Sequence, residues 1–424
     1  MLIRWLYTLV LAIASPFLMW GLYKKRPGKP CVGNRWKEHF GFTPPLTGIN
    51  NSQPIWVHAV SVGETLAVTP LIKQLKQRYP QHEIVITTTT PTGAEQAEKL
   101  QEIAHHRYMP FDFKFAIQGF IKTINPCQLL IMETELWPNT LHTVAQANIP
   151  VTIINARLSE RSCQRYAKFQ SVFNLLAKHL TQILCQYPDD AERFIRLGVA
   201  KEKVSVTGSI KFDIDVNAQI INNGQKLRHQ LGTQRPVWIA ASTHLGEDEQ
   251  ILAAHNKILE QHSDALLILV PRHPERFNSM FELAQQQFIT VRRTESGEKT
   301  IDASVQVYLG DTMGEMLTLM SSADVCFMGG SLLGDKVGGH NILEPAALAK
   351  PIITGPSYFN FKDITDTLIA EKAATIYVSH NQIASEISEL FCQPDLINKR
   401  GNIALNVVNK NKGALERTLA AIKL

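Results

Sequence analysis

The stretch PIWVHAVSVGETLAVTPLIKQLKQR (54–78) decides the fold. Its first part, Pro54–Val60, is a short run rich in apolar and β-branched residues with no acidic or basic carboxylate or amine side chain. Gly63 permits a tight turn, and Thr65–Arg78 carries helical spacing, so a buried strand is expected to turn directly into a helix. Outward from it the alternation repeats. Glu83–Thr90 reads as a strand and Gly93–Ala104 as a helix, and Cys127–Glu133, Val151–Asn155 and Thr181–Cys185 continue the strand series. After a polar, Asn/Gln-rich pause the pattern restarts with Val237–Ala241, Ala265–Val270, Val305–Leu309, Asp324–Met328 and Pro351–Thr354.

Strands alternating with helices of this length are βαβ units, which build parallel sheets. The expected architecture is α/β with two Rossmann-like domains and a cleft between them. Residues 27–211 would form the first domain, 212–234 a linker, and 235–424 the second, with the last helix packing back on the first. A chain of 424 residues is too long for one ordinary domain, which agrees with this division. Its 45% hydrophobic and 19% charged residues exclude a disordered or polytopic membrane protein. The six cysteines form no CxxC pair, so neither a disulfide scaffold nor a zinc ribbon is expected, and a reducing compartment fits best.

The basic excess is local. Residues 1–40 hold seven Lys and Arg against Glu38, a net +6, while the whole chain is +5. The remainder is close to neutral, so no nucleic-acid surface is expected. Trp5–Tyr23 is a charge-free run of 19 residues followed by Lys24-Lys25-Arg26. At 1.5 Å per residue it just spans a hydrocarbon core of about 30 Å, and aromatic residues sit near both ends. No A-x-A-like site follows it, which argues against a cleaved signal peptide. Residues 1–26 are therefore expected to be a single membrane anchor. The positive-inside bias would leave the body on the cytoplasmic side, and the same cations would bind anionic phospholipid even if the run only lay in the interface.

In open parallel sheets ligands bind beyond the carboxyl ends of the strands. There the first strand delivers Glu64, either a carboxylate favouring a helix N-terminus or a base aimed at a ligand. Cys127–Glu133 runs into Thr134-Glu135-Leu136-Trp137, two carboxylates that packing does not ask for, without revealing which one faces a site. Lys211 closes the first half; Asp213 and Asp215 have D-x-D spacing but lack a third ligand, and no metal site is read there. In the second half Arg272, just past a strand, suits a phosphate or carboxylate, while His273 reads as structural. The small-residue turn Gly310–Met316 and the segments Gly329-Gly330 and Gly338-Gly339-His340-Asn341 allow close backbone approach to an anion. Asn341 suits a cap and Glu344 a ribose partner.

Together the blocks SVGETLA, TTTTPTGAE, METELWPN, NARLS, TGSIKFD, VPRHPERF, GDTMGEM, GGHNILEPAALAKPI and TGPSYFNFKDI resemble, in order, the 3-deoxy-D-manno-octulosonic acid (Kdo) transferases of lipopolysaccharide assembly. The resemblance implies an inverting, metal-independent glycosyltransferase of the two-Rossmann-domain GT-B type, needing no cofactor. It implies transfer of Kdo from CMP-Kdo to a tetraacylated disaccharide lipid A precursor (lipid IVA) at the inner membrane. Carried over by position, Glu64 would be the proton acceptor, and Glu133 and Lys211 the transition-state stabilisers. Pro271, Arg272, Met313, Gly314, Glu315, Asn341, Ile342, Leu343 and Glu344 would contact CMP. The loop Leu332–Val337 is longer than the pattern before GGHN suggests. A sugar-nucleotide epimerase of the same fold, or a non-enzymatic two-domain binding protein, are the rival readings.

Overall fold

The structure is a computed structural model that describes residues 2–24, 30–46 and 53–422. Of the basic cluster after the anchor, Lys25, Arg26 and Lys29 lie outside the described residues. The chain divides into two compact units, residues 1–213 with 412–424, and residues 214–411.

The first unit holds β1 (Ile55–His58), β2 (Ile84–Thr88), β3 (His105–Tyr108), β4 (Gln128–Met132), β5 (Val151–Ala156), β6 (Gln182–Cys185) and β7 (Val204–Val206). All pair in parallel, in the order β3-β2-β1-β4-β5-β6-β7. The second holds β8 (Val237–Thr243), β9 (Leu266–Pro271), β10 (Thr290–Arg292), β11 (Val307–Leu309), β12 (Val325–Met328), β13 (Ile352–Thr354) and β14 (Ala374–Ile376). Their order is β10-β11-β9-β8-β12-β13-β14, again parallel. Each sheet changes winding direction once, between β1 and β4 and between β8 and β12. These are the switch points where crossover helices part and leave a crevice.

The central strands are buried along their whole length, as β1 (IWVH), β4 (QLLIM) and β8 (VWIAAST) show. Helices cover both faces of such sheets, so the strands read as continuous rather than alternating apolar runs. Trp56 packs on Phe120 with ring centroids 4.4 Å apart, and Trp238 donates its indole N–H to His255 Nδ1 at 3.2 Å. The polar indole edge is thus satisfied inside an apolar layer.

Two segments differ from the sequence reading. The region 212–234, expected as a linker, is mostly the helix Ala218–Leu231, capped by Asn217, whose Oδ1 accepts from Ile220 N at 2.9 Å. Its Asn/Gln-rich surface conceals an inner face: Leu227 and Leu231 are buried, and Arg228 pairs with Asp324 at 3.0 Å. The helix expected over 93–104 runs instead over Pro91–Glu98 and breaks into turns.

The C-terminal helix Ala414–Ala421 belongs to the first unit. Its Leu415 and Leu419 join the apolar cluster of Ile55, Val68 and Leu71. Asp213 fastens it, both carboxylate oxygens accepting backbone N–H groups, from Gly413 and Leu415, at 2.6 Å each. Asp213→Ala should therefore cost about 1.5–3 kcal/mol of stability, the worth of hydrogen bonds to a charged group. Denaturant unfolding checks this; a midpoint unchanged by the substitution would mean that the carboxylate is not what holds the helix.

Candidate active site

Two sets of chemistry-bearing residues sit on the carboxyl rims, one per unit. In the first unit β1 ends in Ser61, the N-cap of the helix Val62–Arg78. Ser61 Oγ accepts from Glu64 N at 3.3 Å and donates to Glu64 Oε1 at 3.0 Å, while Val60 N donates to Oε2 at 2.9 Å. This reciprocal cap fixes the Glu64 carboxylate at the switch point. Burial pushes its pKa up to about 7, the Val60 amide and Ser61 hydroxyl pull it down, and the charges of Glu133 and Glu135 push it up again.

The two glutamates of METE stand in different surroundings. Glu133 has φ +59°, a left-handed conformation that a residue with a side chain adopts only at a cost. Its Oε1 accepts from Lys211 Nζ at 3.0 Å. Glu135 instead accepts from the indole N–H of Trp137 at 2.9 Å, and Trp137 lies edge-on to the buried His58. Lys211 is held in reach by Asn155, unnoticed within NARLS, whose Oδ1 accepts from Ile210 N at 3.1 Å. Asn155 is itself buried with φ +53°. A short polar residue tolerates that conformation best, and this is the signal that the sequence offered.

In the second unit the expected residues follow β9, β11 and β12, which with β8 are neighbours in the sheet. Arg272, exposed just past β9, makes no hydrogen bond through its guanidinium to another described residue, and its charge acts on Glu344, His340 and His244. Asn341 Oδ1 accepts from Leu343 N at 3.3 Å, and Asn341 Nδ2 donates to Glu344 Oε1 at 3.2 Å. Burial raises the Glu344 pKa, with Asn341 and Arg272 opposing. Met313 is exposed beside Gly314, whose φ of +83° makes the turn. The Glu315 side chain is already engaged: Arg293 grips it at 3.0 and 3.1 Å and Thr312 donates to it at 2.5 Å. What this turn offers a ligand is its backbone. His273 is exposed and stands edge-on to His244, whose Nε2 lies 2.8 Å from His340 Nε2.

One residue escaped the sequence reading altogether. Glu247, fully buried, accepts backbone N–H groups from Gly330, Ser331, Leu332 and His244 at 2.7, 3.0, 3.1 and 3.2 Å. Burial pushes its pKa up and the four amides pull it down. It pins the glycine-rich loop after β12 to the end of β8. The loop passes so close that a Cβ on Gly329 would lie 2.8 Å from Ser242 O. Among the described residues no group of three or more His, Cys, Asp or Glu is placed to hold a metal ion.

Two parallel seven-stranded units, each with polar residues on its carboxyl rim, make a GT-B-type α/β protein. Residues 34–214 match the family model for 3-deoxy-D-manno-octulosonic-acid transferase (kdotransferase). The 3-deoxy-D-manno-octulosonic acid transferase of Haemophilus influenzae is 39% identical over 99% of this chain and 98% of its own. The solved C-terminal CMP-Kdo binding domain of WaaA from Acinetobacter baumannii is 39% identical and covers 45% of this chain and 99% of that domain, at a TM-score of 0.43. The UDP-GlcNAc 2-epimerase of Neisseria meningitidis, solved with UDP-GlcNAc, covers 87% of this chain and 100% of its own at a TM-score of 0.55. At 15% identity that likeness is one of fold alone. The chain belongs to the 3-deoxy-D-manno-octulosonic acid transferase family, and it is a Kdo-transferring glycosyltransferase.

Proposed function

We propose that this transferase moves Kdo from CMP-Kdo to a tetraacylated disaccharide lipid A precursor, with inversion at the anomeric carbon and without a metal ion. The observation that carries the reading is the pairing of unlike carboxylates on one rim. Glu64 is pushed up to about 7, while Glu133 is matched to Lys211 at 3.0 Å. A buried carboxylate whose proton affinity is raised toward neutrality suits a general base, and an ion pair on the same rim suits the charges that develop as bonds exchange.

In the proposed step a hydroxyl oxygen of the acceptor attacks the anomeric carbon of Kdo as its proton passes to Glu64. The bond from that carbon to the phosphate oxygen breaks, and CMP leaves with the electron pair. Lys211 and Glu133 would offset the charges that develop as the bonds exchange. Arg272, the backbone of 313–315 and the segment Asn341–Glu344, with Pro271 beside them, would hold CMP. A monophosphate leaving group demands less charge neutralisation than a diphosphate, so fixed amides and one guanidinium suffice.

The helix containing Ile3–Tyr23 is long and apolar enough to cross a membrane, with mean hydropathy 1.6. We take it to attach the enzyme to the inner membrane, with the body on the cytoplasmic side where a nucleotide sugar is available. Incubating the purified chain with CMP-Kdo and the lipid A precursor in detergent, with excess EDTA, should release CMP and yield a Kdo-bearing lipid. CMP release without lipid product would leave a hydrolase; loss of activity to EDTA with rescue by Mg²⁺ would overturn the metal-free mechanism.

A further inference from the structure

The helix Leu2–Tyr23 is not a free stalk. Its half-buried positions, among them Tyr7, Thr8, Leu11, Ala14, Leu22 and Tyr23, recur every three or four residues and so lie on one stripe. Polar ties fix it at two places. Near its start Asn139 Nδ2 donates to Thr8 Oγ1 at 2.9 Å, and the Tyr7 hydroxyl bonds to the buried carboxylate of Asp112. At its end the Tyr23 hydroxyl lies 2.8 Å from His39 Nδ1. The two ties are about 22–24 Å apart along the helix.

The opposite stripe is a long exposed apolar surface. Trp5 is 69% exposed, Phe17 78% and Trp20 69%, with Leu9 and Ile13 between them. Phe42 and Phe115 stand exposed on the same two segments that hold Tyr23 and Asp112. Cations flank the stripe: Arg4 acts on His179 together with Lys178 at one end, and Lys24 sits 4.9 Å over the Trp20 ring at the other. A long apolar face edged by cations matches the surface of an anionic bilayer.

We infer that the helix is a blade lying in the plane of the bilayer, docked on the first unit, and does not cross the membrane. The inference rests on the membrane attachment proposed above. Crossing would pull Tyr7 from buried Asp112 and Thr8 from Asn139, leaving desolvated polar groups short of partners. The in-plane arrangement keeps them and gives the apolar stripe to lipid. It also has a use. Asp112 follows the end of β3, and Asn139 lies six residues past Glu133, so between Thr8 and Tyr23 the helix runs beside the carboxyl rim. The bilayer is then held against the edge that carries Glu64 and Glu133. An acceptor hydroxyl reaches them while its acyl chains stay in lipid.

The test uses full-length protein with the exposed Cys31 and Cys392 replaced by serine, in inverted inner-membrane vesicles, with a membrane-impermeant maleimide added outside. Ile3→Cys reports the start of the helix and Gly21→Cys its end. Both should label to the same extent without detergent. If Ile3→Cys labels only after detergent, the helix crosses and the inference fails while attachment stands. If the protein does not float with the vesicles at all, attachment fails as well. A second measurement ties Thr8→Cys to Asn139→Cys with a short bis-maleimide before vesicles of phosphatidylethanolamine and phosphatidylglycerol are added. The tied protein should bind as the untied one does; loss of binding on tying would overturn the in-plane arrangement.

Discussion

Glu64→Gln should lower turnover by about 10²-fold or more while leaving CMP affinity near that of the unchanged enzyme. A sugar hydroxyl is a poor nucleophile at neutral pH, and a positioned base contributes about 10²–10⁴-fold to its attack. Glutamine keeps the shape and can still accept from Val60 N, but it cannot take a proton. The proposed CMP contacts lie in the other unit, so the loss should fall on kcat rather than on nucleotide binding. The pH profile gives an independent check. Burial lifts Glu64 from the ordinary carboxylate value of 4.5 to about 7, so a base at this position would be protonated and inactive below that value. Turnover should rise with pH through about 7 and level off above it, and the limb should vanish in the residual activity of Glu64→Gln. The sign of the stability effect follows from the same shift. A carboxylate whose folded pKa is raised opposes folding increasingly as pH rises from 4.5 toward 7, so the glutamine variant should be no less stable at neutral pH. Retention of a large part of wild-type turnover, with Glu133→Gln inactive, would move the base to the β4 end.

Glu247→Gln should weaken CMP binding at least about tenfold, although no ligand contact is assigned to Glu247. Its two oxygens receive four backbone N–H groups in a fully buried setting. An amide in the same place turns an NH₂ toward one pair of those donors. Each hydrogen bond to a charged group is worth about 1.5–3 kcal/mol, and about 1.4 kcal/mol is a factor of ten in affinity. The loop after β12 would then lose the geometry that leads to Asn341 and Glu344. Titration calorimetry with CMP reads the loss, and Glu247→Asp, which keeps the charge on a shorter stem, should recover part of it. Equal affinity in Glu247→Gln and the unchanged enzyme would show that the loop is held by its own glycine geometry.

How much of this was legible depended on burial. The central strands were plain in the sequence because both faces of a parallel sheet are covered, and the cost of burying polar groups turns IWVH, QLLIM and LLILVP into unbroken apolar runs. The edge strands β3, β10 and β14 were not read. Each is three or four residues long and only partly buried, as HHRY and TVR show, so nothing forbids charged and imidazole side chains there. The helix Ala218–Leu231 was hidden for the related reason that its wide solvent face is Asn/Gln-rich and its buried face is narrow.

The site divides in the same way. Sequence by itself determined which chemical groups stand at the strand ends: the carboxylates after β1 and β4, the lysine after β7, the arginine after β9 and the paired glycines after β12. Those are local facts, since a side chain's chemistry and its distance from a strand are written along the chain. Tertiary structure decided which groups meet. Nothing in METE separates Glu133 from Glu135 until one meets Lys211 and the other Trp137. Nothing in Glu247-Asp248-Glu249 shows that the first receives four amides, the second pairs with Arg276 and the third faces solvent. The apolar run Trp5–Tyr23 could be measured against a bilayer from sequence, but its docked stripe is set by Asp112, Asn139 and His39, more than a hundred residues away for Asn139. A partner that is remote along the chain leaves no trace in local periodicity, so which groups meet, and how deeply each is buried, is decided only when the chain folds.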